Sequence, residues 1–384
     1  MDYNKLRNRY YDTFGHSGDL YFSPGRVNLI GEHTDYNGGF VFPGAVDKGI
    51  TVEIAPNGSS LIRVLALDVT DQTNYVEFEP EESQRPSVHW ANYVFGVCME
   101  FKKRSVQING FDAAFTGNVP TGAGISSSAA LECVFAFALN QIFAEGEIDK
   151  FELAKIGQSA EHNYCGVKCG IMDQFTSLFG KENCLILLDC RSMEYEYFKF
   201  NPIGYRLVLL DSKVKHTLGS EYNERRESCE NALYQVALKY KGISTLRDVT
   251  HSMLKSVKEN LNNVDYIRAK YVLDENERVL TVSKALKKND YETIGEKMFE
   301  THQGLSKEFH VSCPELDFLV DKARELGVTG SRMMGGGFGG CSINLVKEAI
   351  YNKFISGTIQ EFHNKFGHKP EIYDINIKDG TRKV

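Results

Sequence analysis

The sequence contains no C-x-x-C pair, no long run of lysine and arginine, no proline-rich linker and no unbroken apolar stretch of membrane-spanning length. Each absence excludes something. The nine cysteines are an odd number at irregular spacings, so neither a zinc ribbon nor a secreted disulfide framework is expected. The longest basic run is Lys102-Lys103-Arg104, and 44 basic residues face 51 acidic ones for a formal net charge of -7. Nucleic acid and anionic membrane are therefore not expected as main partners. Between Ala113 and Ala144 the one charged residue is Glu132, but Pro120, Gly122, Gly124 and three serines interrupt the stretch. It reads as a loop followed by a buried helix. Met1 to Tyr10 is polar and mixed in charge, without the apolar core of a signal peptide, and the chain is expected in the reducing cytoplasm.

What is present is ordinary globular material. The chain has 384 residues, 42% hydrophobic and 25% charged, and at roughly 150 residues per domain this suggests two to three domains. Tyr21 to Ser23 and Val27 to Ile30 read as short strand pieces separated by Pro24-Gly25. Alternation at Gly49 to Ile54 and Leu61 to Ala66 makes the first hundred residues mainly sheet. Tyr93, Val94, Val97 and Phe101 recur at helical spacing, a strand follows around Ala113 to Phe115, and a long apolar helix starts near Ser126. Phe151 to Tyr164 is a further helix, whose Ala154, Gly157 and Glu161 share one face. Cys184 to Asp189 and Tyr205 to Leu210 suit buried strands, and helices with interspersed charge dominate from Glu221 to about Glu300. That composition shift places a boundary near residue 205, giving an N-terminal domain 1–205 and a C-terminal domain 206–384.

Three segments carry chemistry. In Val119 to Glu132, Gly122 and Gly124 allow a tight turn, and three serines open a helix whose first N–H groups lack internal partners. Such an N-terminus cradles an anion, and a hydroxyl of its first turn can reach a phosphate-bound metal. The lysine of the common nucleotide loop is absent, and a plain helix cap is the competing reading. Gly335, Gly337 and Gly340 form a G-x-G-x-x-G. The residues after it read as a strand and those before it as a helix, Leu316 to Leu326, plus a turn. That context argues against a dinucleotide fold. In Pro24 to Gly39, Arg26, Glu32, His33 and Asp35 crowd into a turn, which suits a polyhydroxylated ligand because ionised acids accept bonds from several hydroxyls. A zinc site is the rival, but the second spaced imidazole is missing.

Gly25-Arg-Val-Asn-Leu-Ile-Gly-Glu-His-Thr-Asp-Tyr36 resembles the galactokinase signature, and Pro120 to Ala129 and Gly335 to Gly340 resemble the second and third motifs of the GHMP small-molecule kinases. Cys169 to Gln174 and Gly219 to Asn223 also resemble galactokinase segments. Thr121 and Ile125 stand where relatives vary or often carry Leu.

The resemblance implies an α/β (α+β) chain with the two-domain GHMP kinase fold. Its N-terminal domain would be like ribosomal protein S5 domain 2, its C-terminal domain ferredoxin-like, and its active site would lie between them. It implies transfer of the γ-phosphoryl group of ATP to the C1 hydroxyl of α-D-galactose, the first step of galactose utilisation. Asp173 matches the catalytic base and Arg26 its partner, which also stabilises charge on the transferring group. Glu32, His33, Thr34, Asp35 and Tyr222 match sugar-binding positions. Gly122, Ala123, Gly124, Ile125, Ser126, Ser127 and Ser128 would wrap the phosphates, with Ser128 and Glu161 as magnesium ligands. Mg2+ and ATP are thus the implied cofactor and co-substrate, and a monomer is expected. An N-acetylgalactosamine kinase and a catalytically silent sugar-and-ATP sensor remain open alternatives.

Overall fold

The computed structural model describes residues 3–119, 124–214 and 220–384. Three sheets organise them. The first has six strands in the order Arg382–Lys383, Asp19–Asn28, Pro43–Pro56, Phe111–Gly117, Ile62–Ala66 and Tyr75–Phe78. Neighbours are antiparallel except Ile62–Ala66 beside Phe111–Gly117. The second is antiparallel in the order Gly330–Met333, Cys341–Lys347, Tyr205–Asp211 and Glu371–Ile375. Phe40–Val41, Cys184–Asp189 and Tyr195–Lys199 form the third.

The apolar stretch expected to be a buried helix is one, Ser127–Phe143, and its Ala130, Val134 and Phe135 join Val52, Ile54 and Phe115 of the first sheet in one core. A second core crosses the two halves of the chain. Val27, Leu29 and Ile30 from the signature meet Val279 and Val282 of the helix Asn263–Leu286, together with Ile343 of the second sheet. Burying apolar side chains from both halves in one cluster fixes the signature segment against the C-terminal helices. Among the described residues no helix is long and apolar enough to cross a membrane.

Three local readings change. Pro24 and Gly25 do not split the strand, which runs from Asp19 to Asn28 with a shift of register between Pro24 and Arg26. A proline without an N–H is tolerated where the ladder is already irregular. A side chain at Gly25 would place its Cβ 2.3 Å from the Ile125 carbonyl oxygen, so glycine lets the second motif dock on the bulge. The helix expected over Phe151 to Tyr164 is α-helical only over Lys150–Ala160 and widens into a π-turn at Glu161–Cys165, a distortion frequent at functional sites. Finally, the residues before the glycine-rich segment include a strand, Gly330–Met333. Its buried Ser331 and Arg332 hide the apolar alternation that marks a strand.

Candidate active site

Arg26 emerges from the bulge with its guanidinium buried. Nε donates to Asp173 Oδ1 at 2.7 Å and Nη2 to Oδ2 at 2.8 Å, while Nη1 donates to the Gly124 carbonyl at 2.5 Å. Burial alone would lower the arginine's pKa, but the facing Asp173 and Glu32 charges raise it. Asp173 lies in the first turn of the helix Met172–Phe179, whose cap position is Ile171. Ser126 adds a donor, its hydroxyl bonding Asp173 Oδ2. The simple helix-cap reading of this serine fails. Ser126 precedes the helix with φ 57° and makes no side-chain cap bond.

The signature turn is held from behind by the helix Asn263–Leu286. Glu275 accepts from the Gly31 N–H at 2.8 Å, and Asn276 from the Phe40 N–H at 2.8 Å. In front, Glu32 Oε1 accepts from Arg332 Nη1 and from the Gly335 N–H, both at 2.9 Å, and Oε2 from Asn28 Nδ2 at 3.2 Å. Burial would raise the Glu32 pKa, yet Arg332 and Arg26 bring it below the usual carboxylate value. His33 has φ 63°, its Nδ1 is 2.9 Å from the Tyr36 hydroxyl, and burial lowers its pKa to about 4. The ring is therefore neutral at pH 7. Asp35 is pushed the other way, up to about 7, by burial and by the Asp173 charge. Tyr222 is buried with its ring 5.4 Å from His33 and 5.5 Å from Tyr36. Arg26, Glu32, His33, Asp35, Asp173 and Tyr222 line a single cleft. Thr34 does not join them. It is fully buried behind the turn, with its hydroxyl bonded to the Gly31 and Phe40 carbonyls at 2.9 and 2.6 Å.

Ser128, in the first turn of the helix Ser127–Phe143, lies beside the Glu161 carboxylate in the same cleft. Glu161 Oε2 accepts from Gln174 Nε2 at 3.0 Å and Cys169 Sγ at 3.3 Å, and the same Gln174 nitrogen donates to Glu132 Oε2 at 2.9 Å. Burial and the Asp173 charge raise Glu161 to about 7. Glu132 is likewise raised well above the usual carboxylate value, by burial and by the Glu161 charge. Among the described residues no cluster of three or more His, Cys, Asp or Glu could hold a metal. One hydroxyl and one carboxylate beside an anion cradle are nevertheless what Mg2+ uses, because it takes few protein oxygens and completes its shell with phosphate and water. The crowded carboxylates fit a cation in charge as well.

Two glycine-bearing loops meet at the cleft. Gly124 packs on the Met334 carbonyl, and Gly335 on the Gly124 backbone. Gly337 has φ 88°, and a Cβ there would lie 2.2 Å from the Val311 carbonyl oxygen. This contact explains why a loop rich in glycine is tolerated despite its entropic cost. Gly124, Ile125, Ser126, Ser127 and Ser128 all line the cleft. Gly122 and Ala123 lie outside the described residues.

Family models match at the galactokinase galactose-binding signature over residues 8–56, the GHMP kinases N-terminal domain over 92–181 and the GHMP kinases C-terminal domain over 282–356. The galactokinase of Clostridium acetobutylicum is 41% identical over 387 aligned residues, covering 99% of each chain. The chain belongs to the galactokinase family. The Roseiflexus sp. galactokinase is 38% identical, covering 100% of this chain and 98% of the relative. The crystal structure of Lactococcus lactis galactokinase complexed with galactose superposes with a TM-score of 0.95 at 30% identity, over 100% of both chains. A mevalonate kinase structure, at 18% identity and a TM-score of 0.63 over 94% of this chain and 99% of its own, shares the fold alone. The chain is an ATP-dependent sugar kinase with the GHMP kinase fold.

This galactokinase-family site also contains residues that the sequence reading passed over. Arg332 and Asn28 bond Glu32, Gln174 bridges Glu132 and Glu161, and Glu275 holds Gly31. Glu132 carried a signal, as the single charge in an apolar helix. A buried charge must find a partner, and that rule alone points to it. Arg332 carried none, since one arginine in a charged half of the chain is unremarkable until its burial is known.

Proposed function

We propose that this chain transfers the γ-phosphoryl group of ATP to the C1 hydroxyl of α-D-galactose, giving α-D-galactose 1-phosphate and ADP. The observation that carries the reading is the two-bond Arg26–Asp173 pair, set in one cleft with the Ser126 to Ser128 helix start and Glu161. Asp173 Oδ1 accepts one bond, from Arg26 Nε, and a carboxylate oxygen has a second lone pair to offer. In this reading that lone pair takes the C1 hydroxyl proton as the sugar oxygen bonds to the γ-phosphorus and the bond to the ADP oxygen breaks. Arg26 faces the charge that spreads over the transferring group. Gly124 and Ile125 to Ser128 surround the phosphates with backbone N–H groups and the positive end of a helix, and Gly122 and Ala123 are assigned to the same loop by their motif. Glu32, His33, Asp35 and Tyr222 receive the sugar hydroxyls.

Ser128 and Glu161 would hold Mg2+, which when bound neutralises phosphate charge. We further place the chain in a reducing cytoplasm, as its nine free cysteines suit, and read it as a monomer. Its domain boundary falls near residue 205 in this reading. The second sheet's Tyr205–Asp211 strand begins there, while the terminal Arg382–Lys383 strand returns to the first sheet.

The test is phosphorus NMR of purified protein with Mg-ATP and galactose, which is expected to show a sugar 1-phosphate and ADP. Absence of that product, or full activity in Asp173→Ala, overturns the reading. Comparing kcat/KM for galactose and N-acetylgalactosamine decides between those substrates. Tight binding of sugar and ATP without turnover would make the chain a sensor.

A further inference from the structure

Arg332 is wholly buried on the strand Gly330–Met333, and its guanidinium is spent on residues of the distant signature. Nε donates to the Leu29 carbonyl at 3.0 Å and Nη2 to the Asn28 carbonyl. Nη1 donates to Glu32 Oε1 at 2.9 Å and to the carbonyl of its own neighbour Met333 at 2.6 Å. The Gly335 N–H, first in the glycine-rich loop, meets the same Oε1 at 2.9 Å. One carboxylate oxygen therefore joins three segments: the signature turn, the strand of the second sheet and the glycine-rich loop. Glu32 lines the cleft from that junction.

We infer that Arg332 is a positioning residue for sugar recognition. It holds the Glu32 carboxylate in one orientation toward the cleft and ties that orientation to the placement of the glycine-rich loop. The argument is geometric. A planar fork can bond two backbone carbonyls of the signature and its carboxylate at once, which fixes the turn and the side chain together. Glu32 Oε2, with Asn28 as its bonded donor, keeps acceptor capacity for a hydroxyl. A lysine carries the same charge but lacks the fork, so it would keep the ion pair and lose the alignment. The inference rests on the proposed role of Glu32 as a sugar ligand.

The test compares wild type with Arg332→Lys, Arg332→Met, Glu32→Gln and the Glu32→Gln/Arg332→Met double variant. Galactose affinity is measured calorimetrically without ATP, and both KM values, kcat and Tm are measured alongside. Arg332→Met is expected to weaken galactose binding by about tenfold or more, with kcat and the ATP KM within about threefold of wild type, and Arg332→Lys to fall between. The double variant is expected to bind galactose no worse than Glu32→Gln, since both substitutions remove one interaction. Wild-type galactose affinity in folded Arg332 variants, or a parallel loss of kcat and both KM values, overturns the inference. So does failure of both Arg332 variants to fold, which would assign the residue to the fold alone. If Glu32→Gln binds galactose normally, the sugar-ligand reading of Glu32 fails instead.

Discussion

Arg26 and Asp173 form a parallel two-bond pair across the cleft, Nε to Oδ1 at 2.7 Å and Nη2 to Oδ2 at 2.8 Å. Both remaining donors of consequence, Arg26 Nη1 and Ser126, anchor the second motif to this pair through Gly124 and Asp173. Position and charge are thus set by one planar group. Arg26→Lys is expected to fold but to lose the fork, lowering kcat by about a hundredfold or more, because a point charge cannot grip both oxygens. Asp173→Asn is expected to lower kcat by about a thousandfold, the range for losing a general base. Steady-state kinetics of both variants, with Tm as the folding control, check this.

Ser126→Ala tests whether the serine serves Asp173 and not the helix. Its hydroxyl bonds Asp173 and makes no cap bond. The loss of a helix cap would cost about 1 kcal/mol, and no such loss is expected. Activity is expected to drop by about tenfold, the scale of one bond to a charged group. A Tm fall of several degrees with unchanged kcat would show that the serine serves the helix after all.

Gly25→Ala tests the close approach of the second motif to the bulge. Its Cβ would stand 2.3 Å from the Ile125 carbonyl oxygen, opposite the bond from the Arg26 N–H to that same oxygen at 3.0 Å. The backbone has to move apart. The expected result is an ATP KM raised by about tenfold and a loss of stability of about 1–3 kcal/mol, the cost of overpacking. An unchanged ATP KM would mean that the loop does not depend on this contact.

Asp35 supplies a pH signature. Its carboxyl is raised from 3.8 to about 7, so the folded chain keeps a proton that the unfolded chain has lost. Below about pH 4 both states are protonated and the stabilisation is fully present. As pH rises from there through about 7 it is lost, because ionising the carboxyl in this site is costly. Asp35→Asn removes that cost. The Tm of Asp35→Asn relative to wild type is expected to be higher at about pH 8 than at about pH 5, by a few degrees. An equal difference at the two pH values would place the Asp35 pKa at its ordinary value.

Much of the cleft was legible before the fold was known. Gly124 to Ser128 could be expected at an anion cradle because such a cradle is a local device of glycines, a helix start and hydroxyls within a few residues, whereas the roles of Arg26 and Asp173 came from the family resemblance of their motifs. Other features resisted for equally physical reasons. Thr34 lies beside Asp35 in sequence, yet a one-residue step in a tight turn sends its hydroxyl to the Gly31 and Phe40 carbonyls and away from the cleft. Pro24-Gly25 signals a turn in local chemistry, and only the bulge beside Ile125 makes it part of a strand. The Gly330–Met333 strand carries its polar residues inward, because their partners, Asn344 for Ser331 and Glu32 for Arg332, come from elsewhere.

By itself the sequence determined the class of fold, the buried nature of the Ser127–Phe143 helix and the family chemistry, because apolar periodicity and short motifs are written in neighbouring residues. The tertiary structure alone decided the pairings that no motif implies. Glu32 is joined to Arg332, 300 residues away, and Gly31 to Glu275, 244 residues away. No local pattern encodes such pairings. They follow from the common core in which Val27 and Leu29 meet Val279 and Ile343, whose burial sets the signature against the helix and the sheet that carry these partners.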